Sequence, residues 1–144
     1  MTQCCYWMTN HTVYLSLGAN LGNRELTINQ AIDEIGEYVG EVIRRSSLHI
    51  TEPWGFTSEN KFVNAVVCCR TKLTPRKVLE QTQLIERKLG RISKTSNGEY
   101  RDRMIDIDIL LYDDWEVKEP DLIIPHPLMY DREFVMRPLA EIRE

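Results

Sequence analysis

The chain has 144 residues, 42% of them apolar and 8% aromatic, with a formal net charge of -4. That length supports one well-formed core rather than two ordinary domains, and no apolar run reaches the roughly 18 residues of a membrane span. An acidic surface repels polyanions, so neither a membrane protein nor a nucleic-acid binder is expected.

Residues 1–11 carry no Lys or Arg and no long apolar stretch, so they do not read as a secretory signal; they are expected to be an extension ahead of a single domain over 12–144. "TVYLSLG", Thr12 to Gly18, alternates apolar with small polar residues and predicts a strand. The turn "ANLGN" fits neither GxxxxGK[ST] nor GxGxxG, and after it Ile28, Ala31, Ile32, Ile35 and Val39 recur at helical spacing until Gly40. "EVIRRSSLHITEP" resumes a β-rich pattern up to Pro53, "WGFTSEN" reads as a loop, and "KFVNAVVCCRTKL" predicts a third strand antiparallel to the second. Thr74 as N-cap and Pro75 at the first helical position open a second helix that Gly90 closes. The polar, basic "RISKTSNGEYRD" then feeds the strand "RMIDIDILLY". The order βαββαβ predicts an α+β, ferredoxin-like split βαβ fold, with an antiparallel sheet, two helices on one face and the other face free. Beyond Asp114, "WEVKEP" predicts a local hairpin, and in the C-terminal extension "DLIIPHPLMYDREFVMRPLAEI" three prolines argue against long regular structure.

Cys4–Cys5 and Cys68–Cys69 are adjacent pairs, a spacing that fits neither a CxxC zinc site nor a spaced disulfide framework. They read as reduced thiols, with Cys68 and Cys69 acting as small buried hydrophobes in a cytoplasmic protein.

Chemistry concentrates at "RMIDIDILLYDD". Asp106 and Asp108 project from the same strand face, while Ile105, Ile107, Ile109 and Leu111 are expected to line the other. Two neighbouring carboxylates need water, a shared proton or a cation between them, so the alternatives are a solvated half-exposed strand and a bound Mg²⁺. The cluster Arg87, Lys88, Arg91, Lys94, Arg101 and Arg103 suggests a small anionic ligand and a lid over phosphates, against the alternative of a solvated loop. Asn64, among apolar residues and on the same face as Phe62, is either a satisfied structural carboxamide or a partner for a heterocyclic amide edge. Glu86 could belong to an amphipathic surface alone, and His126, held between prolines in "IPHP", is a candidate phosphate contact.

In this order "SLGANLGN", "TEPWGF", "FVNAVV", "IERKLGR", "DRMIDIDILLYD", "IPHPLMYDREFV" and "PLAEI" resemble the 6-hydroxymethyl-7,8-dihydropterin pyrophosphokinases of folate biosynthesis, over about Val13 to Ile142. The resemblance implies a ferredoxin-like transferase that moves pyrophosphate from ATP to the pterin's hydroxymethyl oxygen and releases AMP. It implies that Asp106 and Asp108 hold two Mg²⁺ ions and that Arg103 joins them in catalysis. Phe62 and Phe134 would sandwich the pterin, Asn64 would bond its amide edge, and Thr51, Pro53 and Trp54 would complete that pocket. Gln83, Glu86, Arg91, Lys94, Arg103, His126 and Arg132 would line the nucleotide and phosphate side. The partners implied are ATP and the pterin; the chain itself is expected to be a monomer.

The chain departs from some members by Ser93 in place of Arg, by a longer "NGEYRDR" segment and by Pro127 in place of an aromatic residue. An Asp-x-Asp nucleotide-sugar transferase and a non-enzymatic ferredoxin-like binding module are the rival readings.

Overall fold

The computed structural model of the chain describes residues 10–20, 22–51, 62–90 and 105–143. Its centre is a five-stranded sheet of β1 (His11–Ala19), β2 (Glu41–Arg45), β3 (His49–Thr51), β4 (Phe62–Thr71) and β5 (Asp106–Tyr112). The order across it is β2, β4, β1, β5, every pairing antiparallel, with β3 alongside β4 beyond the end of β2. Helix α1 (Arg24–Tyr38) follows β1, and α2 (Pro75–Leu89) follows β4. Each helix thus stands between two strands that are separated in the sheet by a third, which is the ferredoxin-like arrangement predicted.

Local chemistry sets the helix ends. The Asn23 side chain accepts from the Leu26 N–H at 3.1 Å, and Thr74 accepts from Lys77 N–H at 3.2 Å ahead of Pro75. The α1 residues predicted to face the core, Ile28, Ala31, Ile32 and Ile35, are all buried. Just beyond α1, a Cβ on Gly40 would run into the Arg70 carbonyl and the Thr71 Cα, so a bare backbone is needed where the chain returns against β4. Leu15, Leu17, Val63, Val67, Ile107 and Ile109 form the core between the sheet and these helices.

The predicted second strand is two short ones. At the break, the Ser46 N–H donates to the Val66 carbonyl at 2.9 Å and the Ser46 hydroxyl accepts from the Val66 N–H at 3.0 Å. The β4 backbone therefore stays satisfied across the gap.

The second sheet face is not left free, and the C-terminal segment is not irregular. Helix α3 (Glu133–Ile142) lies on that face with Pro138 inside it. Val135, Leu139 and Ile142 pack with Met129 against Tyr14, Val66, Cys68, Leu110 and Leu111. An interior proline costs about 3 kcal/mol, whereas each fully buried aliphatic side chain contributes roughly 1.5–3 kcal/mol. Three such residues on one stripe, with the Pro138 ring buried among them, outweigh the proline.

Leu111 also departs from expectation, lying with the α3 cluster rather than with Ile105, Ile107 and Ile109. A register shift between Tyr14 and Leu15 reverses the alternation beyond Ile109. The hairpin predicted within "WEVKEP" reaches further along the chain: β6 (Val117–Glu119) pairs with β7 (Leu122–Ile124), which lies in the segment assigned to the C-terminal extension, and the pair is tied to α2 where Arg76 meets Asp121 at 2.9 Å. Far from the acid pair, Asp113 adopts a left-handed φ of 51° and accepts from the Thr12 N–H at 2.8 Å and His11 Nδ1 at 2.7 Å, closing that end of β1 and β5. Cys68 and Cys69 are reduced thiols and buried, as the apolar run predicted.

Candidate active site

While α3 packs on one part of the second face, the remaining stretch carries polar chemistry. Gly18 of β1 pairs with Asn64 on one side and Asp106 on the other; in the next row Ser16 pairs with Val66 and Asp108. Neighbouring strands lie about 4.8 Å apart, so Asn64 and Asp106 flank Gly18 across about 10 Å. A Cβ on Gly18 would come within 2.9 Å of Asn64 Oδ1 and 3.8 Å of the Phe62 ring. The missing side chain is what lets the carboxamide and the ring lean over this strand. The β-alternation that buries Val63 and Ala65 on the helical side turns Phe62 and Asn64 this way.

Asp106 and Asp108 are both half-buried, with Ile107 between them turned into the core. In the sheet order β5 is the last strand, and the Ile107 N–H donates to Glu86 Oε2 at 2.7 Å. A bond to a charged acceptor contributes about 1.5–3 kcal/mol. Glu86 thereby ties α2 to the backbone between the two acids.

The chain beyond β7 brings a histidine to the same place. His126 donates its backbone N–H to the Leu110 carbonyl at 3.0 Å, while its Nδ1 accepts from the Leu128 N–H at 3.2 Å. Acceptance at Nδ1 puts the neutral ring's proton on Nε2. Burial pushes the imidazole pKa below its ordinary value; the Asp108 carboxylate pulls it up and the Arg132 charge adds to the lowering. Arg132 itself lies over the Phe134 ring at 5.6 Å.

Strand pairing thus gathers Phe62, Asn64, Asp106 and Asp108, and the C-terminal segment brings His126, Arg132 and Phe134. Gln83 is exposed on α2, three residues before Glu86 and on the same side of the helix. Thr51 pairs through its backbone with Phe62 at the end of β3. Pro53, Trp54, Arg91, Lys94 and Arg103 lie outside the described residues. Gly18 was read from the sequence only as the end of a strand. The available signal was a glycine within an alternating apolar pattern, which marks a close backbone approach.

Among the described residues, no group of three or more His, Cys, Asp or Glu side chains could hold a metal by itself. Two half-buried carboxylates on one strand face instead suit a hard cation that keeps water and takes phosphate oxygens from a substrate, as Mg²⁺ does.

The fold and site together define an α+β, ferredoxin-like protein with paired acids on one strand and a carboxamide and ring two strands away on the same sheet face. Residues 14–144 match the family 7,8-dihydro-6-hydroxymethylpterin-pyrophosphokinase (HPPK), and the chain belongs to it. It is 47% identical over 131 residues to the 2-amino-4-hydroxy-6-hydroxymethyldihydropteridine pyrophosphokinase of Porphyromonas gingivalis (strain W83), covering 90% of this chain and 89% of that protein. The protein of the same description from Bacillus subtilis (strain 168) is 39% identical over 134 residues, covering 92% and 78%. In fold the chain is similar to a crystal structure of an HPPK-DHPS in complex with substrates, with a TM-score of 0.69 at 17% identity, covering 92% of this chain and 40% of that one. This is a transferase of folate synthesis, moving pyrophosphate to hydroxymethyldihydropterin. The nucleotide-sugar transferase and binding-module readings give way to it.

Proposed function

We propose that the chain takes pyrophosphate from ATP, releases AMP, and uses Asp106 and Asp108 to hold two Mg²⁺ ions against the triphosphate. The observation that carries this reading is the acid pair on the same sheet face as Asn64, one strand apart across Gly18. Bound there, the cations would offset the charge of the phosphates and of the departing AMP. On the other side of Gly18, Phe62 and Phe134 stack on the pterin ring, and Asn64 both donates to and accepts from its amide edge. Thr51, Pro53 and Trp54 complete that pocket. His126 offers its Nε2–H to a phosphate oxygen, and Arg132 adds positive charge beside it. Gln83, Glu86, Arg91, Lys94 and Arg103 serve the nucleotide side, with Arg103 meeting the transferring group. Holding both substrates over one rigid sheet converts a bimolecular encounter into an oriented displacement.

The catalytic domain spans 12–144, with 1–11 as an extension, and works as a monomer in the cytoplasm. Among the described residues no helix is long and apolar enough to cross a membrane.

The test is product analysis. With ATP, Mg²⁺ and 6-hydroxymethyl-7,8-dihydropterin the protein should form AMP and not ADP, and only when the pterin is present. Asp108→Asn keeps size and polarity but removes a charged oxygen ligand, and should lower turnover by about a thousandfold. ADP as product, or near-normal turnover of that variant, would overturn the proposal.

A further inference from the structure

The end of α3 away from His126 is fastened by a polar clasp. One carboxylate, that of Glu141, accepts from the Ser47 N–H at 2.8 Å and contacts the Ser47 hydroxyl at 2.8 and 3.0 Å. The same carboxylate meets His49 Nε2 at 2.6 Å. Beside it, the Arg44 Nε donates to the Ile142 carbonyl at 2.8 Å, giving the last turn of α3 a cation where its carbonyls end.

Where these groups sit gives the clasp its meaning. His49 pairs directly with Asn64, so the two side chains are cross-strand neighbours on one face. Near its other end α3 carries Phe134, and Arg132 stands just ahead of the helix, its charge acting on His126. The helix therefore runs from the neighbourhood of His126 to the strand beside Asn64. It bears one proposed pterin group, Phe134, and is fastened next to another. Apolar packing of Val135, Leu139 and Ile142 holds the helix on the sheet but fixes its position along the sheet weakly, because such contacts are non-directional. Three donors converging on one carboxylate supply that direction.

We propose that Glu141, Ser47 and His49 are positioning residues for pterin binding, setting the separation of Phe134 on α3 from Asn64 on β4. The proposal rests on the assignment of Asn64 and Phe134 to the pterin. The three lie at the end of α3 away from Arg132 and His126, so their loss should act on the pterin side.

The experiment is steady-state kinetics with each substrate varied in turn, on Glu141→Ala, His49→Ala and Asn64→Ala, together with thermal melts. Glu141→Ala should raise the pterin KM about tenfold with kcat and the ATP KM unchanged, the scale of one misplaced hydrogen-bonded pocket contact. His49→Ala, which leaves both Ser47 bonds in place, should raise it about threefold. Glu141→Gln, whose amide oxygen still accepts from Ser47, should recover most of the loss. Equal changes in both KM values, or unchanged pterin KM in a folded Glu141→Ala, would overturn the clasp. If Asn64→Ala also leaves the pterin KM unchanged, the site assignment fails; if Asn64→Ala raises it while Glu141→Ala does not, the clasp alone fails. Should Glu141→Ala not fold, His49→Ala and Ser47→Ala carry the same test.

Discussion

A methyl group at position 18 would press on Asn64 Oδ1 from 2.9 Å while only brushing the Phe62 ring at 3.8 Å. The strand itself would tolerate alanine, since glycine within a strand is a cost rather than a benefit. With Asn64 assigned to the pterin as proposed, Gly18→Ala should therefore leave the melting temperature nearly unchanged and raise the pterin KM about tenfold by turning the carboxamide away. Kinetics with each substrate varied separately check this, and a matching rise in the ATP KM would count against it. The acid pair was legible in the sequence because it depends only on the two-residue period of a strand. The state of His126 was not, because its Nδ1 is occupied by the Leu128 N–H, a contact made by the local path of the chain. Gly18 lay between these cases: its pattern was visible, but its purpose depends on Asn64, a strand away and 46 positions later.

At the scale of elements, α3 is where the sequence reading failed, and for a definite reason. Prolines argue locally against a helix, but Val135, Pro138, Leu139 and Ile142 form an apolar stripe whose value appears only against a second buried sheet face. The βαββαβ core was legible because each of its elements carries its own caps and periodicity. Docking of α3 also carries a pH signature. The Ser47 backbone N–H, then the Ser47 hydroxyl, then His49 hold the Glu141 carboxyl below the usual glutamate range. A carboxyl whose folded pKa is depressed stabilises the fold fully above its unfolded pKa, and that stabilisation is lost as pH falls through the folded value. Wild-type protein should thus exceed Glu141→Gln in stability at neutral pH, with the gap closing in acid below the ordinary glutamate pKa. Urea melts across that range measure it; a gap independent of pH would show that the charge of Glu141 contributes nothing.

For the molecule as a whole, the sheet is buried on both faces by unlike partners: α1 and α2 on one, α3 and the polar site on the other. Cys68 and Cys69 are adjacent in sequence yet belong to the two different cores, and burial pushes the Cys69 thiol up to about 12. Neither should react with iodoacetamide in the folded protein. Mass spectrometry of the peptide containing them should show modification in step with global unfolding; modification well below the urea midpoint would reveal a separable layer. One further consequence lies in the bond from the Ile107 N–H to Glu86. The segment "IDILLY" has the composition of an aggregation-prone strand, and it stands at the end of the sheet order. Glu86 occupies one of its outward N–H groups, and the His126 N–H occupies the Leu110 carbonyl further along. The contacts that organise the acid strand therefore also deny another chain a template for strand addition. Glu86→Ala should shorten the time to light scattering in concentrated solution even where the remaining monomer is folded, so that the integrity of this site and the solubility of the protein are guarded by the same carboxylate.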